Sequence, residues 1–397
     1  MAHIFKYPKK NNKGIIVFTH KEFLWIFKKK INFKIKNLLK KNNLGIIDIL
    51  RYLRSINFNI FLNIKNNFEY YKIISKINSL SSKYYIGIHW GGFYENPPYA
   101  DWVNFHLTKP STTPLIEDKY IIPLQSANFT PDVMRPKKID KYWDIVCVAK
   151  NATFKNYPKL MSSIRKIYDL GYKYKVIFII ASSKNNDKNK KFDDIFENYF
   201  SNFTSFEREN FTIIKTDPDT GFQGFSYTFL SHIYNQSKVF TLFSQEEGVA
   251  KVINEALLCG VPVVVKEDLR GGGREYLDNK NSMTFSDYEN AHKTLIEAVE
   301  NFNNFKIKTE ELKSIISETA SLEKLKMHFL KMYKKNGENF DGNLINTDNL
   351  NRRLPAHYYD KKTIKWATDL DYRFKTTDIT TYEMFIDFYN CCLDYDD

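Results

Sequence analysis

Residues 239–265, VFTLFSQEEGVAKVINEALLCGVPVVV, constrain the fold of this chain more than any other stretch. Residues 239–243 are a short apolar run of strand formers. Residues 244–248 are polar and predict a loop. Residues 249–258 are good helix formers, with either Val252, Ala256 and Cys259 or Ile253 and Leu257 on one face. Gly260 stands where a helix C-terminus takes a glycine. Pro262 then opens the apolar run 263–265, which reads as a buried parallel strand. Strand, loop, helix and strand in this order make a βαβ unit, and βαβ units imply a parallel sheet. Ligands of such sheets bind outside the carboxyl ends of the strands. Glu247 lies at the mouth of the strand-to-helix loop and Glu255 on the helix two turns later. Glu247 and the free N–H groups of the helix start therefore face a ligand site.

The same alternation runs through the rest of the chain. Residues 15–18, 58–64, 84–89 and 120–123 read as strands, and 21–41, 44–56 and 68–80 as helices. A second α/β domain opens with a strand at 143–149. It continues with a helix at 157–170, strands at 176–181 and 211–215, and a helix capped by Ser226. Further helices are predicted at 288–301 and 322–335. The segment up to 115 that follows His89-Trp90-Gly91-Gly92 is rich in aromatics and prolines and reads as loop, as does the charged run 182–191. Asp217 and Asp219 flank a proline and precede a glycine, a turn context rather than a metal site. A length of 397 residues suits two domains. The divisions are expected at 1–137, 138–337 and 338–397, the last a helical extension that includes a helix near 381–392.

The formal net charge of +13 suits an anionic partner, whether phosphorylated substrate, anionic membrane or nucleic acid, and does not choose among them. Residues 21–41 carry Leu24, Phe27, Ile31, Ile35 and Leu38 at helical spacing among eight lysines. This segment reads equally as an interfacial basic helix and as a surface helix packed on a sheet. Cys147 and Cys259 fall inside apolar elements and act as small hydrophobes. No zinc spacing, disulfide framework, apolar leader or membrane-length run is present, which leads to the expectation of a reduced, cytoplasmic protein. Nucleic acid is not an expected partner.

Ser244-x-x-Glu247-Gly248, Glu255-Ala256 and Gly260-x-Pro262-Val263-Val264 together resemble the glutamate-x7-glutamate signature of retaining GT-B glycosyltransferases of the family four type. The resemblance implies two Rossmann-like parallel-sheet domains facing a central cleft. It implies a nucleotide-sugar donor and a glycan or lipid-linked acceptor in surface glycan synthesis; the interfacial reading of 21–41 would make the cytoplasmic protein peripheral on the membrane. It puts Glu247 against the donor sugar and Glu255 on the nucleotide ribose. Lys150 and Lys155, after the strand 143–149, match the spacing of a basic pair on the donor diphosphate. Gly248, Val249, Ala250 and Lys251 would line the donor at the helix start, and Gly224 would lie in the loop touching the base. Gly271, Gly272 and Glu275 match a Gly-Gly-x-x-Glu element that can form an anion nest. His89, at a strand end of the first domain, matches the position of an acceptor-side histidine; the plain alternative is a loop histidine stacked by Trp90. No metal or other cofactor is implied, because lysines and helix N–H groups meet the phosphate charge. Val249, Ala250 and Lys251 replace the aromatic and second glycine usual after Glu-Gly, so sugar specificity does not carry over. The alternative function is a non-catalytic GT-B-like module that binds anionic glycan or lipid.

Overall fold

The structure, a computed structural model, describes residues 2–9, 12–20, 68–90, 102–109, 120–181, 191–216, 225–345, 347, 359–360, 365–366, 376–377 and 382–393. The predicted helices 21–41 and 44–56, the strand 58–64, the Asp217–Asp219 turn, the Gly91-Gly92 pair and Gly224 lie outside these residues. The chain forms two compact units, 1–126 with 323–397, and 127–322. From sequence, the divisions were placed at 137 and 337.

The first unit is built on a six-stranded sheet in the order Thr376–Thr377, β1 (Ala2–Lys6), β2 (Gly14–Thr19), β3 (Tyr84–His89), β4 (Phe105–Leu107), β5 (Tyr120–Ile122). β2 to β5 are parallel, and β1 runs antiparallel to both its neighbours. β2 and β3 are buried at every position, as continuous apolar runs in a parallel sheet should be. Helix α1 (Phe68–Lys83) buries Ile73, Ile77 and Leu80 completely. The C-terminal helix Tyr382–Leu393 belongs to this unit as well. Its Phe388 ring meets Phe18 edge-on at 5.6 Å, and the Tyr84 hydroxyl donates to the Cys392 carbonyl at 2.6 Å. Two strands depart from the sequence expectation. β1 lies before the first predicted strand, and β4 lies in the segment predicted to be loop. β4 has only three residues, too few for periodicity to register, and it sits close to β3 because Gly87 leaves space. A Cβ there would lie 2.2 Å from the Phe105 ring.

The second unit runs β6 (Trp143–Lys150), α2 (Tyr157–Asp169), β7 (Val176–Ala181), α3 (Lys191–Asn202), β8 (Phe211–Lys215), α4 (Tyr227–Asn235), β9 (Ser237–Leu242), β10 (Glu246–Val249), α5 (Lys251–Leu258), β11 (Val263–Lys266), β12 (Arg270–Gly272), β13 (Ser282–Phe285), α6 (Ala291–Glu300) and α7 (Thr309–Ile316). α8 (Glu318–Lys335) carries the chain from this unit to the first. The main sheet is parallel throughout, in the order β13-β11-β9-β6-β7-β8. The Ser226 hydroxyl caps α4 by accepting from the Phe229 N–H at 3.2 Å, and Gly260 leaves α5 with φ of +72°. Residues 244–248 are not a simple loop. They hold β10, which pairs in parallel with β12 outside the main sheet. A four-residue strand of polar sequence has no pattern to announce it.

Candidate active site

The carboxyl end of β6 leads through a single 3-10 turn, Thr153–Lys155, into α2. Asn156, at the junction, has φ of 51° and ψ of 38°, a left-handed conformation that asparagine tolerates better than most residues. Its amide donates to the Phe243 carbonyl at 3.0 Å and to the Tyr288 hydroxyl at 2.9 Å. The Tyr288 hydroxyl in turn donates to Phe243 at 3.0 Å. The loop after β6 is thereby fastened to the end of β9, and Lys155 is turned inward.

Lys155 meets Glu247 there. Its ammonium donates to Glu247 Oε1, and each side chain is only 7% exposed. Glu247 is held by its backbone. In the β10–β12 ladder it pairs with Gly271, the Ala250 N–H donates to Gly272 at 2.8 Å, and the Arg270 N–H donates to Gln245 at 2.9 Å. Gly271 has φ of +107°, and a Cβ on it would lie 1.6 Å from the Glu247 carbonyl oxygen, so only glycine fits. The glycine run serves this close approach. The Gly273 N–H donates to the Glu275 carboxylate at 2.7 Å.

Glu255 is buried on α5 and accepts the Tyr234 hydroxyl at 3.1 Å. Burial pushes its carboxyl above the usual carboxylate range, against the pull of the Lys251 ammonium and the Tyr234 bond. Lys251 opens α5, Ala250 is buried just before it, and Gly248 and Val249 are half-buried in β10. Lys150, by contrast, is exposed. Its Nζ lies 5.4 Å from the centre of the Phe154 ring, and Lys155 Nζ lies 5.1 Å from the same centre. The two lysines expected as a matched pair thus flank one aromatic ring, one in solvent and one buried. Cys147 and Cys259 are packed in the core, and burial pushes both thiols up to about 12.

His89 ends β3 in the first unit and is 7% exposed. Its Nε2 is buried without a hydrogen-bond partner. Burial first, and the charge of nearby His20 second, lower the imidazole pKa to about 3, so the ring is neutral. Trp90 does not stack on it. Trp90 stacks on His106, with ring centres 6.2 Å apart, and its indole N–H donates to His106 Nδ1 at 2.8 Å. His106 sits on the next strand, beyond the reach of sequence neighbourhood.

Tyr234 and Asn156 were not anticipated as site residues. Tyr234 is twenty-one positions from Glu255, and nothing local marks it. Asn156 carried a weak signal, since it precedes Tyr-Pro at a helix start. Among the described residues, no group of three or more His, Cys, Asp or Glu side chains is placed to hold a metal ion, and no helix is long and apolar enough to cross a membrane.

No curated protein matches the sequence. The chain is similar in structure to the pneumococcal O-GlcNAc transferase GtfA solved with UDP and GlcNAc, at 12% identity and a TM-score of 0.46, covering 64% of this chain and 54% of that one. HepE from Anabaena, solved with UDP and glucose, gives 10% identity and a TM-score of 0.48 over 66% of this chain and 76% of that one. The lipopolysaccharide outer core galactosyltransferase WaaB gives 12%, 0.41, 65% and 73% in the same terms. This chain spans about half the length of the pneumococcal enzyme. In sequence, residues 145–302, most of the second unit, match the model of the family described as glycosyl transferases group 1.

Proposed function

We propose that the chain is a glycosyltransferase that moves a sugar from a nucleotide-sugar donor to an acceptor hydroxyl, with retention of configuration, in surface glycan synthesis. The observation that carries this proposal is the buried Lys155–Glu247 pair at the carboxyl edge of the second sheet, within the segment matching group 1 glycosyl transferases. A carboxyl edge is where an open parallel sheet takes its ligands. Lys155 and the exposed Lys150 supply two ammonium groups for a diphosphate, and the α5 start adds backbone N–H groups. Glu247 accepts hydrogen bonds from sugar hydroxyls, and Glu255, held by Tyr234, accepts from the ribose. Phosphate charge is met by lysines and backbone dipoles, without a metal.

In the reaction, the anomeric carbon–phosphate oxygen bond breaks and the acceptor oxygen bonds the anomeric carbon on the same face. The departing phosphate oxygen takes the acceptor proton. The protein's main task is to stabilise the growing charge on the diphosphate, which preorganised cations and N–H groups do well. His89, neutral and unbonded, is suited to accept a hydrogen bond from an acceptor hydroxyl. The protein works at the cytoplasmic membrane face, with residues 21–41 on anionic lipid. Flotation with anionic liposomes checks this, and charge reversal of lysines 28 to 30 should abolish it.

Proton NMR of the first-formed product from an α-linked donor tests the function. An α product is expected. A β product together with inactivity of His89→Ala would overturn the mechanism. Donor binding without transfer or hydrolysis would leave a non-catalytic binding module.

A further inference from the structure

Lys155 and Glu247 are assigned to opposite ends of the donor, the diphosphate and the sugar, yet in the structure they are bonded to each other. Resting on the donor assignment above, we propose that this ion pair makes the site selective for the intact nucleotide-sugar over the nucleoside diphosphate left after transfer. Both side chains are 7% exposed, so neither can turn to water when it loses the other. A diphosphate that draws Lys155 away leaves Glu247 as a buried carboxylate without its cation. It also adds further negative charge nearby, and a buried charge stripped of its partner is strongly unfavourable. A nucleotide-sugar does not incur that cost, because its sugar hydroxyls donate to Glu247 as the phosphates take Lys155. Both halves of the ligand are needed to open the pair.

The frame around the pair is stiff enough to enforce this choice. The Glu247 backbone is held in the β10–β12 ladder, packed so closely on Gly271 that a Cβ there would lie 1.6 Å from the Glu247 carbonyl oxygen. The backbone beside Lys155 is held by Asn156, bonded to Phe243 and Tyr288, which leaves the long lysine side chain as the part that moves. With its backbone held in the ladder, Glu247 stays at the strand end while the Lys155 ammonium swings to the phosphates. Once the sugar has left for the acceptor, Glu247 loses its hydroxyl donors and reclaims Lys155. The nucleoside diphosphate then loses its buried cation and dissociates. The same pair thus selects substrate on entry and expels product on exit.

The test is calorimetric binding of ADP, CDP, GDP, TDP and UDP to wild type, Lys155→Ala and Glu247→Gln, with folding checked by thermal denaturation. Glu247→Gln releases Lys155 to the phosphates, so the tightest-binding diphosphate should bind it about 10- to 100-fold more tightly than wild type, the worth of one charge-assisted hydrogen bond. Lys155→Ala should bind it more weakly. Equal or weaker binding by folded Glu247→Gln overturns the selectivity proposal and leaves the donor site standing. No binding of any diphosphate by wild type or by folded Glu247→Gln, in which Lys155 is free, overturns the donor site itself. A second measurement needs no variant. In wild type, saturating free monosaccharide corresponding to the accepted donor should tighten diphosphate binding, and diphosphate should tighten monosaccharide binding by the same factor. Independent binding of the two contradicts the proposal even if Glu247→Gln fails to fold.

Discussion

At the carboxyl end of β3, in the first unit, His89 is buried with Nε2 unbonded and its ring neutral. At the carboxyl end of β6, in the second unit, Lys155 and Glu247 are equally buried and joined as an ion pair. Both arrangements place polar atoms where a parallel sheet takes its ligands, and both are costly to burial energetics, but in different currencies of chemistry. An unbonded neutral nitrogen lacks one hydrogen bond, which a single hydroxyl can supply. A buried ion pair is balanced as it stands, and only a ligand carrying both an anion and hydroxyl donors can separate it without leaving a bare charge. The first arrangement suits an uncharged alcohol. The second suits a phosphorylated sugar. On the proposed function, the first group would meet the acceptor hydroxyl and the second the nucleotide-sugar donor.

Removing one member of the pair should sharpen the contrast most. Lys155→Ala leaves Glu247 buried and uncompensated, and we expect the second unit to lose about 3–5 kcal/mol of stability. Urea denaturation at neutral pH measures it, and a loss below about 1 kcal/mol would mean that the pair is open to solvent.

The histidine should show its character through pH. Its folded pKa, about 3, lies below the ordinary histidine value of 6.5, so the unfolded chain binds the proton first. Stability therefore rises with pH between about 3 and 6.5 and is lost as pH falls through that window, by about 2 kcal/mol from pH 6.5 to pH 5. Replacing His89 by phenylalanine should flatten this part of the pH–stability curve. A curve of unchanged slope would show that the imidazole takes up its proton in the folded state.

Lys150 gives the smallest structural effect. It is exposed and outside the ion pair, so Lys150→Ala should change stability by less than about 0.5 kcal/mol. Its loss should still weaken nucleoside diphosphate binding, on the order of tenfold, if its ammonium reaches the phosphates. Unchanged binding would leave Lys155 as the diphosphate's lysine and return Lys150 to the solvent.

The parts of this arrangement that were legible in the sequence are those with a period or a punctuation mark. The buried runs of β2, β3, β7 and β11 and the Gly260 stop show themselves locally, and so does the Ser226 cap. The spacing of Glu247 and Glu255 marked the edge of the second sheet. What escaped was set by contacts between distant residues. β10 exists because Gly271 lets β12 approach, β4 because Gly87 makes room for Phe105, and the Trp90 partner is His106 because β3 and β4 are neighbours. The bond between Lys155 and Glu247, ninety-two positions apart, is of the same kind. Each residue was visible as a candidate, but their pairing follows from the order of strands β6 and β9, which no local pattern encodes.

The most direct test is release of nucleoside diphosphate from a panel of nucleotide-sugars, measured for wild type and Glu247→Gln side by side with a suitable acceptor glycan extract. Wild type should release diphosphate from at least one donor, with sugar appearing in the acceptor, and folded Glu247→Gln should release almost none. Release at the wild-type rate by Glu247→Gln, or no release from any donor by wild type, would contradict the assignment of this chain as a nucleotide-sugar-dependent glycosyltransferase with Glu247 at its centre.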